Sequence, residues 1–94
     1  MKIIGKYTLE IRDEQILTLP IGSKILSAKE QFNTMVLYAI IDTEEEIKEF
    51  YFIRIYGTGH PFETPMYNYL DTVKLQDGRI MYHVFYRRDN ERSL

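Results

Sequence analysis

Arg54, Tyr56 and His60 crowd around two glycines in the run Arg54-Ile55-Tyr56-Gly57-Thr58-Gly59-His60-Pro61-Phe62. Gly57 and Gly59 allow a sharp turn, and such turns turn backbone N–H groups toward an anion. A guanidinium beside that turn can pair bidentately with a phosphate or stack on a base. An imidazole donates a hydrogen bond to a phosphate or a base edge without a catalytic partner. Tyr56 and Phe62 offer stacking faces, with plain packing as the alternative for both. The structural alternative for Arg54 is an arginine lying over neighbouring aromatics. For Gly57-Thr58-Gly59 it is a tight turn after a strand.

Several chemistries are excluded by what surrounds these residues. No lysine or helix follows the corner, so it is not a Walker A loop. A third glycine and a βαβ context are missing, which excludes a dinucleotide-binding Rossmann fingerprint. His60 and His83 are the two histidines of the chain. Two-histidine phosphodiesterases place each histidine in a His-x-Ser/Thr element; here the tripeptides are His60-Pro61-Phe62 and His83-Val84-Phe85. A shared metal would need a third ligand, and no carboxylate stands at a diagnostic spacing. The chain has no cysteine, so thiol nucleophiles, disulfides and thiolate zinc sites are ruled out. No cofactor motif is present, and no metal ligands or catalytic residues are assigned.

The elements that must hold the corner read as strands. Tyr7, Leu9 and Ile11 alternate with Thr8 and Glu10 in a first strand over residues 3–11. Residues 15–19 form a second, closed by Pro20 and Gly22. Residues 24–31 read as a third strand, with a helical turn as the alternative, followed by a turn at Phe32-Asn33-Thr34. The apolar run Met35 to Asp42 predicts a central strand buried on both faces. Thr43-Glu44-Glu45-Glu46 reads as a solvated hairpin tip. Residues 47–56 return as a long strand, with Phe50, Phe52, Arg54 and Tyr56 on one face and Tyr51, Ile53 and Ile55 on the other. Phe62 to Asn68 is a loop restricted by Pro61 and Pro65. Asp77-Gly78 then predicts a two-residue hairpin turn that pairs Leu75 with Ile80 and Thr72 with His83. Val73, Leu75, Ile80, Tyr82 and Val84 fall on its apolar face, and His83 on its mixed face. The expected fold is all-β: a single small antiparallel meander of about seven strands forming a barrel or sandwich. Residues 1–88 make the domain, and residues 89–94 a charged tail, frayed or helical.

At 94 residues the chain has room for one core, and self-association would add stability. A net charge of −2 argues against coating duplex nucleic acid, which rewards many basic side chains. No run is long enough for a membrane-spanning helix, and the N-terminal residues lack the apolar stretch of a signal peptide. Without disulfides a small secreted domain is disfavoured, so a cytoplasmic location is expected.

The run Arg54 to Pro61 resembles a family of small bacterial and phage proteins. The resemblance extends through Lys6-Tyr7-Thr8-Leu9-Glu10-Ile11, Asp13-Glu14-Gln15, Leu19-Pro20-Ile21-Gly22-Ser23-Lys24-Ile25-Leu26-Ser27, Ala39-Ile40-Ile41-Asp42 and Tyr82-His83-Val84-Phe85. Tyr38 stands where tryptophan is usual. The chain is also similar to phage anti-CBASS sponges, which bind the cyclic dinucleotide signal of bacterial immunity without cleaving it. That resemblance implies a non-enzymatic anti-defence protein in the host cytoplasm, a homo-oligomer such as a dimer or tetramer, with a cGAMP-like ligand. The chemistry of the corner then nominates Arg54, Tyr56, Gly57, Thr58, Gly59, His60 and His83 as ligand-binding residues. The alternatives are a protein-interaction module or inhibitor of a host protein and, against the missing Ser/Thr partners, a cyclic-nucleotide phosphodiesterase.

Overall fold

The computed structural model describes residues 1–63 and 66–89. Seven antiparallel strands run in chain order: β1 (Lys2–Leu9), β2 (Glu14–Pro20), β3 (Lys24–Gln31), β4 (Thr34–Asp42), β5 (Lys48–Gly57), β6 (Asn68–Leu75) and β7 (Ile80–Arg88). They form a three-stranded sheet of order β1-β4-β3 and a four-stranded sheet of order β2-β5-β7-β6. The all-β expectation holds, and the chain is a small two-sheet sandwich. No helix among the described residues is long and apolar enough to cross a membrane.

The core is built by period-two alternation. From the three-stranded sheet come Leu9, Ile25, Ala28, Met35, Leu37 and Ala39. From the four-stranded sheet come Leu19, Tyr51, Ile53, Ile55, Val73, Leu75 and Val84. Since β5 turns its odd-numbered residues inward, Phe50, Phe52, Arg54 and Tyr56 point outward, as their spacing predicts. β4 is the central strand of its sheet, as expected, but its burial is unequal: Met35, Leu37 and Ala39 enter the core, while on the outer face Val36 is buried and Tyr38 and Ile40 are half-buried, because the second sheet covers one side only.

Two hairpins join sequence neighbours. In the β3–β4 turn both Phe32 (φ 54°) and Asn33 (φ 59°) take the left-handed conformation that a two-residue hairpin turn requires. The β6–β7 turn falls at Asp77-Gly78 as expected but is wider than two residues: Gln76 (φ 55°), Asp77 (φ 58°) and Gly78 (φ 83°) are all left-handed, β6 ends at Leu75 and β7 starts at Ile80, and the Arg79 N–H donates to the Gln76 carbonyl at 3.1 Å. The register there is the expected one, with Leu75 opposite Ile80 and Thr72 opposite His83. The two turns meet: the Gln76 N–H donates to Asn33 Oδ1 at 2.8 Å.

The remaining pairings are non-local. β1 lies against β4, and β2 against β5. Thr43-Glu44-Glu45-Glu46 is therefore not a hairpin tip; it carries the chain from one sheet to the other. The first strand stops at Leu9 and leaves Ile11 exposed, since residues 10–13 also cross between sheets. Pro20 pairs with Lys48 inside β2, which an edge strand tolerates.

Asp71 closes one side of the sandwich. Its Oδ2 accepts the Ala28 N–H at 3.3 Å and pairs with Lys29 Nζ at 3.3 Å, joining the edge strands β6 and β3. Glu49 is buried among the inward residues of β5. It accepts hydrogen bonds from the Tyr51 hydroxyl at 3.0 Å and the Gly22 N–H at 3.1 Å. Of the expected charged tail, Asp89 is described, and its N–H donates to the Phe50 carbonyl at 2.9 Å. Residues 90–94 and the restricting Pro65 lie outside the described residues.

Candidate functional site

Strand β5 delivers Arg54 and Tyr56 to the outer face of the four-stranded sheet. The antiparallel register places Glu14 of β2 beside Arg54 on one side and Phe85 of β7 on the other. Glu14 Oε2 accepts from both Nε and Nη2 of Arg54 at 3.4 Å. Arg54 Nη1 donates to the Tyr56 hydroxyl at 3.4 Å. That hydrogen bond is the main cause that raises the guanidinium pKa; burial opposes it, and the Glu14 charge adds a lesser upward push. The Tyr67 hydroxyl donates to the same Glu14 oxygen at 3.3 Å, and Arg54 lies 5.3 Å from the Tyr67 ring centroid.

The glycine corner is a tight turn in which the His60 N–H donates to the Gly57 carbonyl at 3.2 Å. Gly59 has φ 92°, a left-handed conformation that glycine adopts without strain. Gly57 ends β5 with the inward parity of Ile53 and Ile55. A Cβ there would lie 2.9 Å from His60 Cε1, so the imidazole rests on the bare glycine. His83 pairs with Tyr56 and therefore has outward parity. Its Nε2 is 2.8 Å from Thr58 Oγ1 and its Nδ1 is 3.1 Å from Thr72 Oγ1. The Tyr69 hydroxyl extends this chain to Thr72 at 2.7 Å. The two histidines thus serve opposite sides of β5, and the fold does not bring them into one site.

Tyr56 is not an open stacking platform. Its ring sits 5.1 Å from Phe62 and 5.9 Å from Phe85, and Phe62 in turn sits 5.0 Å from Phe85. The loop after Gly59 folds back over the sheet and uses Phe62 to cover the ring. Further along the same face, Arg87 lies over Phe52 at 4.7 Å and over Tyr67 at 5.5 Å.

A cleft of about 620 Å³ opens between the β1–β2 connection and the corner, and Asp13, Glu14, Arg54, Tyr56, His60 and Glu63 are among its lining. It gathers Arg54, Tyr56 and His60 from the expected set. Thr58 and His83 instead engage each other. Asp13, Glu14 and Glu63 were not foreseen; the first two arrive through the non-local β2–β5 pairing, which no spacing signal encodes. Tyr67 lies in the Phe62 to Asn68 loop, and only the fold brings it to Glu14, Arg54 and Arg87.

Among the described lining residues, three carboxylates against one guanidinium and one imidazole make the cleft a poor holder of a dianion and a better holder of a cation or an N–H-rich ligand. Among the described residues no group of three or more His, Asp or Glu side chains is placed to hold a metal ion. The Thr58–His83 pair is oriented by a hydroxyl, Thr72 Oγ1, where a hydrolytic triad commonly uses a carboxylate.

A family model for a domain of unknown function, DUF7352, matches residues 1–94. No curated protein and no solved structure matches the chain.

Proposed function

The chain belongs to the DUF7352 family, and from the character of its cleft we propose that it is a non-catalytic protein-interaction module that captures a basic segment of a partner protein. The observation that carries this reading is the engagement of Arg54 by Glu14 while Asp13 and Glu63 line the same walls. Among the described lining residues the guanidinium of Arg54 is already matched by a carboxylate, and the surplus charge is negative. A lysine or arginine side chain entering there gains carboxylate partners and aromatic walls. The surrounding Tyr56, Phe62, Tyr67 and Arg87 are residue types that supply most of the energy at protein interfaces.

Fluorescence anisotropy with a labelled Lys/Arg-rich peptide, and an acidic peptide of equal length, tests the reading. The basic peptide is expected to bind, more weakly as salt rises, and Glu14→Gln to weaken it several-fold. Equal affinity for both peptides, or none for either, overturns it.

Sequestration of a cyclic dinucleotide, the sponge role in phage anti-defence, is the second reading. The observation favouring it is the size of the cleft, which falls in the range typical of small-ligand sites. A nucleotide would have to displace Glu14 from Arg54 for its phosphates, with carboxylates accepting purine N–H groups. Calorimetry against a panel of cyclic dinucleotides, with chromatography of the heat-released ligand, tests it. Here Glu14→Gln is expected to tighten binding, the opposite sign from the peptide. Silence across the panel removes this reading, and recovery of a cleaved product converts it to an enzyme.

A further inference from the structure

A β-sheet edge is a template for pairing with another chain, and proteins blunt edges with lysines, bulges or cover. Three of the four edges in this sandwich carry such devices. β1 presents Lys2 and Lys6. β3 is interrupted by a bulge between Ile25 and Ser27, and β6 by another between Tyr69 and Asp71. Those two edges are also tied to each other through Asp71. β2 is different. It pairs with β5 without a register break from Glu14 to Pro20, and no charged residue lies between Gln15 and Leu19. Its blunting residues, Glu14 and Pro20, are at its two ends. Among the described residues no strand lies on its other side.

From this contrast we propose that β2 is a homodimer interface, in which two copies of the chain pair their β2 strands antiparallel about a two-fold axis through Leu17. This register uses the whole strand. It sets Ile16 against the partner's Thr18 and Glu14 against the partner's Pro20, so no like charges face one another. The outward side chains fit it. Ile16 is 61% exposed and Phe50 42% exposed, large apolar surfaces for an outer sheet face. Within one copy Ile16 lies opposite Phe52, and Thr18 opposite Phe50. Pairing joins these into a continuous cross-strand row of Phe52, Ile16, the partner's Thr18 and the partner's Phe50, and the two-fold repeats it. The same operation on β1 would gather Lys2 and Lys6 of both copies on one face. The product is an eight-stranded sheet with a three-stranded sheet packed on each half.

This geometry stands on the fold and not on the reading of the cleft, but it has a consequence for the cleft. Glu14 marks the cleft end of β2. The six-residue offset between Glu14 and the partner's Glu14 separates the two clefts by about 20 Å. They are two separate sites, too far apart for one small ligand to bridge.

Sedimentation equilibrium of the full chain across a concentration series provides the test. The expected mass is twice the 11.3 kDa of one chain. Combining Ile16→Lys with Thr18→Lys sets like charges opposite across the axis and should weaken dimerisation at least tenfold. Ile4→Lys on β1 should leave it unchanged. Mixing the doubly lysine-substituted chain with one carrying Ile16→Glu and Thr18→Glu should restore a dimer of one chain of each kind. Circular dichroism confirms that each variant is folded. A monomeric wild type, or a dimer equally sensitive to Ile4→Lys and indifferent to the β2 pair, overturns the proposal. So does failure of the two folded, oppositely charged chains to associate.

Discussion

Thr58 Oγ1 and His83 Nε2 lie 2.8 Å apart, and this contact ties the glycine corner to the closing strand β7. Thr58→Val keeps the shape of the side chain and removes the hydroxyl. The expected cost is about 1 kcal/mol of stability, the usual worth of one hydrogen bond. Urea denaturation measures it. A loss below about 0.5 kcal/mol, the scatter of an ordinary surface substitution, would show that the contact does not hold the corner.

Gly57→Ala makes a sharper cut in the same place. The added Cβ would lie 2.9 Å from His60 Cε1, inside any real contact, so the imidazole must leave its seat. Gly57 is not in the left-handed region, so the backbone itself accepts alanine. The expected result is a changed His60 imidazole chemical shift with the His83 shift nearly constant. If both histidines respond alike, the two sides of β5 are not independent as described.

Asp71 holds the two sheets together at one edge. Asp71→Ala removes the acceptor of the Ala28 N–H and the partner of Lys29. The expected destabilisation is about 1–3 kcal/mol. Amide hydrogen exchange should rise first along β3 and β6. A uniform rise over all strands would contradict a local clasp.

Tyr51 gives the fold an alkaline limit. Burial first, then its hydrogen bond to Glu49, pushes its pKa from 10.0 up to about 12. The raised value means the folded state prefers the neutral phenol. That preference contributes fully below pH 10 and is lost as the pH rises toward 12. The wild type should lose on the order of 2 kcal/mol across this window. Tyr51→Phe should lose less over the same window, although it starts lower for want of the hydroxyl. Chemical denaturation at pH 9 and pH 11.5 compares the two slopes; parallel slopes would rule out this role for Tyr51.

The parts of this molecule that sequence reveals are those decided locally. Asp77-Gly78 marks the place of its turn by local backbone preference, and the Leu75–Ile80 register is read from it, although Gln76 also turns left-handed. Tyr51, Ile53 and Ile55 specify a buried face because alternation is a property of one strand. The acidic segment after Asp42 misleads for the same reason: a polar loop between apolar runs looks alike whether the chain reverses within a sheet or leaves it. The site was legible as far as Arg54, Tyr56 and the corner, all on one strand and its exit. The charge that faces Arg54 comes from Glu14, forty positions earlier in the chain, and only the fold supplies that neighbour. Glu49 could have been found, as a carboxylate on the inward parity of β5.

The non-local pairing of the sheets also fixes an order of events in time. The hairpins β3–β4 and β6–β7 close short loops and can form early. β1 must wait for β4, and β2 for β5, across much longer stretches of chain whose closure costs entropy before any contact returns it. Both sheets are thus completed last by their outermost strands. In stopped-flow refolding, destabilising substitutions in β2 should speed unfolding and scarcely slow folding. The strand left with a free edge would be the last to arrive, so a half-folded chain exposes β5 where β2 belongs. A β2 strand from another copy could fill that place, which makes strand exchange between copies the characteristic misfolding hazard of this architecture.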